Sequence, residues 1–184
     1  IKLKGEHNIQ NVLCAVVACK LYGISNEQIK GGVETFFGLS HRIEFVDNID
    51  GISFYNDSKS TTTKSTLTAL NCFENNNVLL ILGGSDKNCD FSNLFPINSC
   101  VKKIFAIGKT KDKIMLCAKQ NGFLNVEGFD NFKFMVEASL NFAKAENLNV
   151  VLLSPATASF DMFKNFEERG DVFKNCVKEL KSEK

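Results

Sequence analysis

The stretch Val78-Leu79-Leu80-Ile81-Leu82-Gly83-Gly84 decides the fold class. It reads as a short all-apolar strand closed by a glycine pair, the form taken by a strand buried on both faces. Two later segments repeat it. Lys103 to Ile107 ends at Gly108, and Val150 to Leu153 ends at Ser154-Pro155. Helical spacing fills the gaps, over Thr62 to Phe73, Lys111 to Asn121, Phe132 to Glu146 and Asp161 to Leu180. Strands alternating with helices imply an α/β fold, with a mostly parallel sheet flanked by helices.

Upstream the pattern differs. Ile9, Val12, Leu13, Val16 and Val17 recur at helical spacing between His7 and Tyr22, and Gly23 ends that helix. Ser25 caps a second helix, Asn26 to Phe36, and Gly38 closes the unit. From Arg42 the apolar period drops to two. Asp50-Gly51 then separates two alternating runs and predicts a hairpin.

The bulk numbers narrow the class. The chain has 184 residues, 44% of them apolar and 23% charged, as in an ordinary globular protein. A net charge of +1 gives no reason to expect nucleic acid or an acidic membrane as partner. No apolar run approaches a membrane span. The N-terminus, Ile1-Lys2-Leu3-Lys4-Gly5, lacks both a signal-peptide core and an initiator Met, so a fragment or a processed form is expected. Seven scattered cysteines without metal-site spacing predict reduced thiols in a cytoplasmic protein. Two histidines, His7 and His41, leave no histidine-rich metal site to expect.

Three strand ends carry polar chemistry: Asn56 to Thr61, Gly83-Gly84-Ser85-Asp86-Lys87, and Ser154 to Ser159. Ligands in open parallel sheets bind beyond the carboxyl ends of the strands, so the three blocks point to one cleft. Lys59 beside hydroxyls suits a phosphate or carboxylate, and a helix N-terminus offers free N–H groups to an anion. Asp57 suits a ribose hydroxyl, an amine or a metal-bound water. Each block also has a plain structural reading. Asp57, Ser58 or Ser60 can cap a helix, Gly83-Gly84 can be a turn followed by a surface lysine, and Ser154 to Ser159 can be tight packing. Asn8 and Asn11, three apart on one helix face, can read a purine edge or serve as a cap and a surface residue. Glu167-Glu168-Arg169 reads as a solvated helix face. Other motifs fail. Gly108-Lys109-Thr110 lacks a phosphate-wrapping loop before it, no G-x-G-x-x-G follows a strand, and no cysteine–histidine nucleophile pair is evident.

Taken in order, five blocks resemble the Mur ligases. They are Gly5-x-His7-Asn8-x-x-Asn11; Gly38-Leu39-Ser40-His41-Arg42-x-Glu44; Tyr55-Asn56-Asp57-Ser58-Lys59-Ser60-Thr61; Gly83-Gly84-x-Asp86-Lys87; and Leu153 to Gly170. The Tyr55 to Thr61 block is similar to the members that add D-glutamate to UDP-N-acetylmuramoyl-L-alanine. Thr157 stands where cysteine is common in the family, a tolerable change between small residues.

The resemblance implies three domains in the whole protein: one for the UDP-sugar, a central ATPase and a C-terminal Rossmann-like domain. Residues 1–38 would be the last helices of the ATPase domain, and 39–184 the Rossmann-like amino-acid-binding domain. It implies ATP and Mg2+ as cofactors, with the phosphate loop and the carbamylated lysine that helps bind magnesium outside this sequence. Its substrates would be ATP, D-glutamate and UDP-N-acetylmuramoyl-L-alanine, joined through an acyl phosphate in peptidoglycan precursor synthesis. By the same resemblance Asn8 and Asn11 face adenine, and Arg42 and Asp57 hold the nucleotide. Thr61, Lys87, Ser159 and Phe166 hold D-glutamate, and Lys59 is catalytic near the transferred phosphate. A monomer is expected, inactive as this piece alone. Two rival readings are another amide ligase of folylpolyglutamate type and a non-catalytic Rossmann-like binding module.

Overall fold

In a computed structural model, residues 1–86 and 88–182 are described, His7 by its backbone alone. Lys87 therefore lies outside the described residues. The chain forms two units, Ile1–Leu39 and Ser40–Lys184.

The first unit is a helix pair. Helix α1 spans Glu6–Leu21, and Gly23 follows at φ 77°, the left-handed stop that its position predicts. Helix α2, Asn26–Thr35, starts at a capping box in which the Ser25 hydroxyl accepts from the Gln28 N–H and the Gln28 side chain accepts from the Ser25 N–H. Asn8 caps nothing: it lies inside α1, whose N-cap is Gly5.

The second unit is a six-stranded sheet in the order β1-β2-β6-β3-β4-β5. Strands β1 (Glu44–Ile49) and β2 (Ile52–Asn56) form the expected antiparallel hairpin. Asp50 and Gly51 at its tip have φ of 52° and 85°, the positive pair that matches the strands' twist. From β2 onward the pairings are parallel, through β6 (Val150–Leu153), β3 (Val78–Gly83), β4 (Val101–Ile107) and β5 (Val126–Phe129).

The helices are α3 (Thr63–Leu70), α4 (Lys111–Gln120), α5 (Phe132–Ala145) and α6 (Phe166–Ser182). Alternation explains the unbroken apolar runs. Leu79, Ile81, Val151 and Leu153 join one core, shared with Val136 of α5 and Phe173 of α6. Leu80, Leu82, Val150 and Leu152 join the other, shared with Leu70 of α3 and Ile114 of α4. Both sheet faces are thus covered, which is why β3 and β6 carry no polar residue.

Two expectations change. Strand β5 was not anticipated, because it is four residues long and holds Gly128, whose missing Cβ admits the side chains of Met115 and Lys111. The last helix begins at Phe166 rather than Asp161. Residues 161–165 form turns, and the Asn165 side chain accepts the Glu168 N–H at 2.8 Å at the helix start. Among the described residues no helix is long and apolar enough to cross a membrane. All seven cysteines are free.

Candidate functional site

The strand order makes β2, β6 and β3 neighbours, so Asn56, Ser154 and Gly83 lie side by side at their carboxyl ends. Backbone bonds then lace the outgoing loops together. The Asp57 N–H donates to the Leu153 carbonyl at 2.8 Å, and Gly83 N–H to the Pro155 carbonyl at 2.9 Å. Ser85 N–H reaches the Ala158 carbonyl at 2.8 Å, and Ala156 N–H the Ser60 carbonyl at 3.0 Å. Gly84 permits this closeness: a Cβ there would stand 2.2 Å from the Ala158 carbonyl oxygen.

The capping alternatives for Asp57, Ser58 and Ser60 fall away. The N-cap of α3 is Thr62, in a capping box with Ser65. Asp57 instead turns inward. Its carboxylate accepts the Ser154 hydroxyl at 2.6 Å and the Ile43 N–H at 3.2 Å. Burial pushes its pKa up to about 6, against the downward pull of Ser154, Ser60, the Ile43 N–H and the charge of Arg42.

Those bonds fix the turn that presents Arg42. His41 and Ile43, on either side of it, have φ of 63° and 48°, strained for non-glycine residues and most of all for a β-branched one. Glu44 accepts the His41 N–H at 2.8 Å and the Asn56 amide at 3.0 Å, and pairs with Lys174 at 3.3 Å. The Asn56 amide also meets His41 Nδ1 at 3.1 Å. Arg42 itself is exposed.

Around the loops, Lys59 is exposed, with its ammonium 5.5 Å from the centre of the Phe166 ring. The same ring meets His41 edge-on at 5.9 Å. Thr61 is half-buried three residues past Ser58. Ser159 is 2% exposed, and among the described residues its hydroxyl and that of Thr157 have no hydrogen-bond partner. Unpaired buried hydroxyls are rare and point to a missing partner. In the first unit, Asn11 donates to the Asn8 side chain at 3.3 Å, and Asn8 donates to the Lys4 carbonyl at 2.7 Å.

Arg169 corrects the solvated-face reading of Glu167-Glu168-Arg169. It is 1% exposed and reaches under the strand ends. Nε donates to the Ser58 hydroxyl at 2.9 Å, Nη2 to the Ser58 carbonyl at 2.8 Å, and both Nη atoms to the Thr157 carbonyl at 3.1 Å. The Ser58 hydroxyl in turn donates to the Phe166 carbonyl at 2.8 Å. The one available signal was Gly170, a glycine inside a helix. A Cβ on it would stand 2.2 Å from His41 Nδ1. Among the described residues no group of three or more His, Cys, Asp or Glu side chains is placed to hold a metal ion.

No protein-family model matches the chain. A UDP-N-acetylmuramoylalanine–D-glutamate ligase of Geobacillus kaustophilus is 44% identical over 181 residues, 98% of this chain and 40% of the relative. Among solved structures, the UDP-N-acetylmuramate-alanine ligase of Thermotoga maritima matches 100% of this chain and 40% of its own, with a TM-score of 0.72 at 16% identity. A folylpolyglutamate synthase from the same organism covers 85% of this chain and 38% of its own, with a TM-score of 0.64 and again 16% identity. At such identities these two show the fold alone. The first similarity is of another order: this chain is a homologue of the UDP-N-acetylmuramoylalanine–D-glutamate ligases, spanning about 40% of their length.

Proposed function

We propose that the chain is the C-terminal part of an ATP-dependent ligase that adds D-glutamate to UDP-N-acetylmuramoyl-L-alanine in cytoplasmic peptidoglycan precursor synthesis. The observation that carries this reading is the gathering of three of the matched blocks at three adjacent strand ends, in a chain 44% identical to a ligase of that name. There a buried cation and two unpaired hydroxyls favour a small anionic ligand, and D-glutamate has two carboxylates.

In this proposal Thr61, Lys87, Ser159 and Phe166 hold D-glutamate, and Lys59 steadies charge near the transferred phosphate. ATP phosphorylates the muramoyl-alanine carboxylate, and the amine of D-glutamate attacks the acyl phosphate. The protein's share is positioning and charge stabilisation. Asn8 and Asn11 face adenine. Arg42 meets the nucleotide from its strained turn, and Asp57 serves the same nucleotide by fixing that turn.

Residues 1–38 are proposed to be the end of the preceding ATPase domain. Ile9, Leu13, Val17 and Leu21 recur every four residues on α1 and are exposed, a stripe that a further domain would cover. The folylpolyglutamate-type alternative shares the fold but not the 44% identity.

The test is ADP release by the intact protein given ATP, magnesium and UDP-N-acetylmuramoyl-L-alanine, with and without D-glutamate. Release that depends on D-glutamate is expected, and none from the 184-residue chain alone. Release that ignores D-glutamate but responds to another amino acid would defeat the reading.

A further inference from the structure

Arg169 is a buried cation held by neutral groups. Among the described residues it forms no ion pair, and Asp161 attracts it without touching it. Burying an unpaired charge is costly, and it persists only where good hydrogen bonds satisfy it. Here neutral oxygens do so, and all of them belong to strand-end loops. The Ser58 carbonyl and hydroxyl lie beyond β2, and the Thr157 carbonyl lies beyond β6. The Gly83 carbonyl, at the end of β3, sits 3.4 Å from Nη1. One planar fork from α6 thus ties three neighbouring strand ends.

The tied positions border the proposed ligand residues. Lys59 follows Ser58, Ser159 lies two residues past Thr157, and the Phe166 carbonyl takes the Ser58 hydroxyl bond. The unpaired hydroxyls of Thr157 and Ser159 lie on the same loop. A positive charge in a low-dielectric setting, with no carboxylate in contact among the described residues, leaves a field that favours an anion at these loops.

We propose that Arg169 is a positioning residue of the amino-acid site: its guanidinium fixes the loops bearing Lys59, Ser159 and Phe166, and its charge, held by neutral oxygens, favours a carboxylate there. The identity of that carboxylate as D-glutamate rests on the function proposed above. Lysine cannot replace the fork, because a point charge cannot reach Ser58 and Thr157 together in fixed geometry.

The experiment uses the intact ligase with Arg169→Lys, Arg169→Met and Ser58→Ala, the last removing one acceptor and leaving the arginine. KM for D-glutamate should rise about tenfold or more in Arg169→Lys and further in Arg169→Met, and several-fold in Ser58→Ala, while KM for ATP stays within about twofold. Amide exchange should quicken in residues 58–61 and 157–159 and stay unchanged in β3 from Val78 to Leu82. A purely structural arginine would lower the melting temperature and the active fraction without moving the D-glutamate KM. Folded variants with unchanged D-glutamate KM would overturn the proposal. If both arginine variants fail to fold, Ser58→Ala decides it by the same readouts. A wild-type enzyme indifferent to D-glutamate would defeat the functional reading and the carboxylate half of this inference. The exchange data would still decide whether Arg169 fixes the loops.

Discussion

Gly170→Ala sets two effects against each other. In an exposed helix interior, alanine is about 1 kcal/mol better than glycine, so propensity alone predicts a more stable protein. Gly170 is not exposed. The new Cβ would stand 2.2 Å from His41 Nδ1, 2.9 Å from Asn56 Nδ2 and 3.0 Å from Asn56 Oδ1. His41 is held by Glu44 through its own N–H, and the Asn56 amide is committed to Glu44 as well, so neither has an easy retreat. Overpacking of this kind costs about 1–3 kcal/mol, and a broken buried amide–imidazole bond a further 1–3 kcal/mol or so. After the propensity gain the net loss is about 1–5 kcal/mol, and its midpoint near 3 kcal/mol lowers the melting temperature by roughly 6–12 °C for a protein of this size. Thermal unfolding followed by far-ultraviolet circular dichroism measures it. His41→Ala, made in the same background, opens the space and should recover part of the loss, so the two changes should not add. An unchanged or raised melting temperature in Gly170→Ala would refute the packing of α6 against the Asn56–His41 pair.

Asp57 gives a pH signature. Its carboxyl titrates at about 6 in the folded protein against 3.8 ordinarily, so the folded state holds the proton more tightly. Its contribution to stability therefore falls as pH rises from 3.8 to about 6, by about 3 kcal/mol at most, and is flat above. Asp57→Asn should remove that slope in urea unfolding measured from pH 4 to pH 7.5, and parallel profiles would contradict the assignment. Gly84→Ala, at φ 148° and with its Cβ 2.2 Å from a carbonyl, should destabilise by about 3 kcal/mol or more, seen as loss of soluble folded protein. Lys59→Met should leave the melting temperature unchanged, because the side chain is exposed, and cut D-glutamate-dependent turnover by about tenfold or more. Equal turnover would remove Lys59 from the site.

The parts of the fold legible in the sequence are those where a single local rule decides. Asp50-Gly51 can hardly be other than a hairpin tip, and Val78 to Leu82 has no polar face to offer water. The neighbouring of Asn56, Gly83 and Ser154 followed from each ending an apolar run. What escaped depends on distant partners. Strand β5 takes its identity from pairing with β4, not from its own four residues. Arg169 stands beside two glutamates and looks solvated; only carbonyls from residues more than ten positions away reveal its burial. Asp57 shows the same limit. Its acidity suggested contact with a ligand, and the structure adds two partners that the local sequence does not reveal, the Ser154 hydroxyl and the Ile43 N–H.

The ends of β2, β6 and β3 are proposed to hold a small dicarboxylate. A crystal structure of the intact protein with D-glutamate tests it most directly. A carboxylate is expected within hydrogen-bond distance of the Ser159 hydroxyl, near Thr61 and the start of α6 at Phe166. D-glutamate found away from these three strand ends, with Ser159 still unpaired, would contradict it.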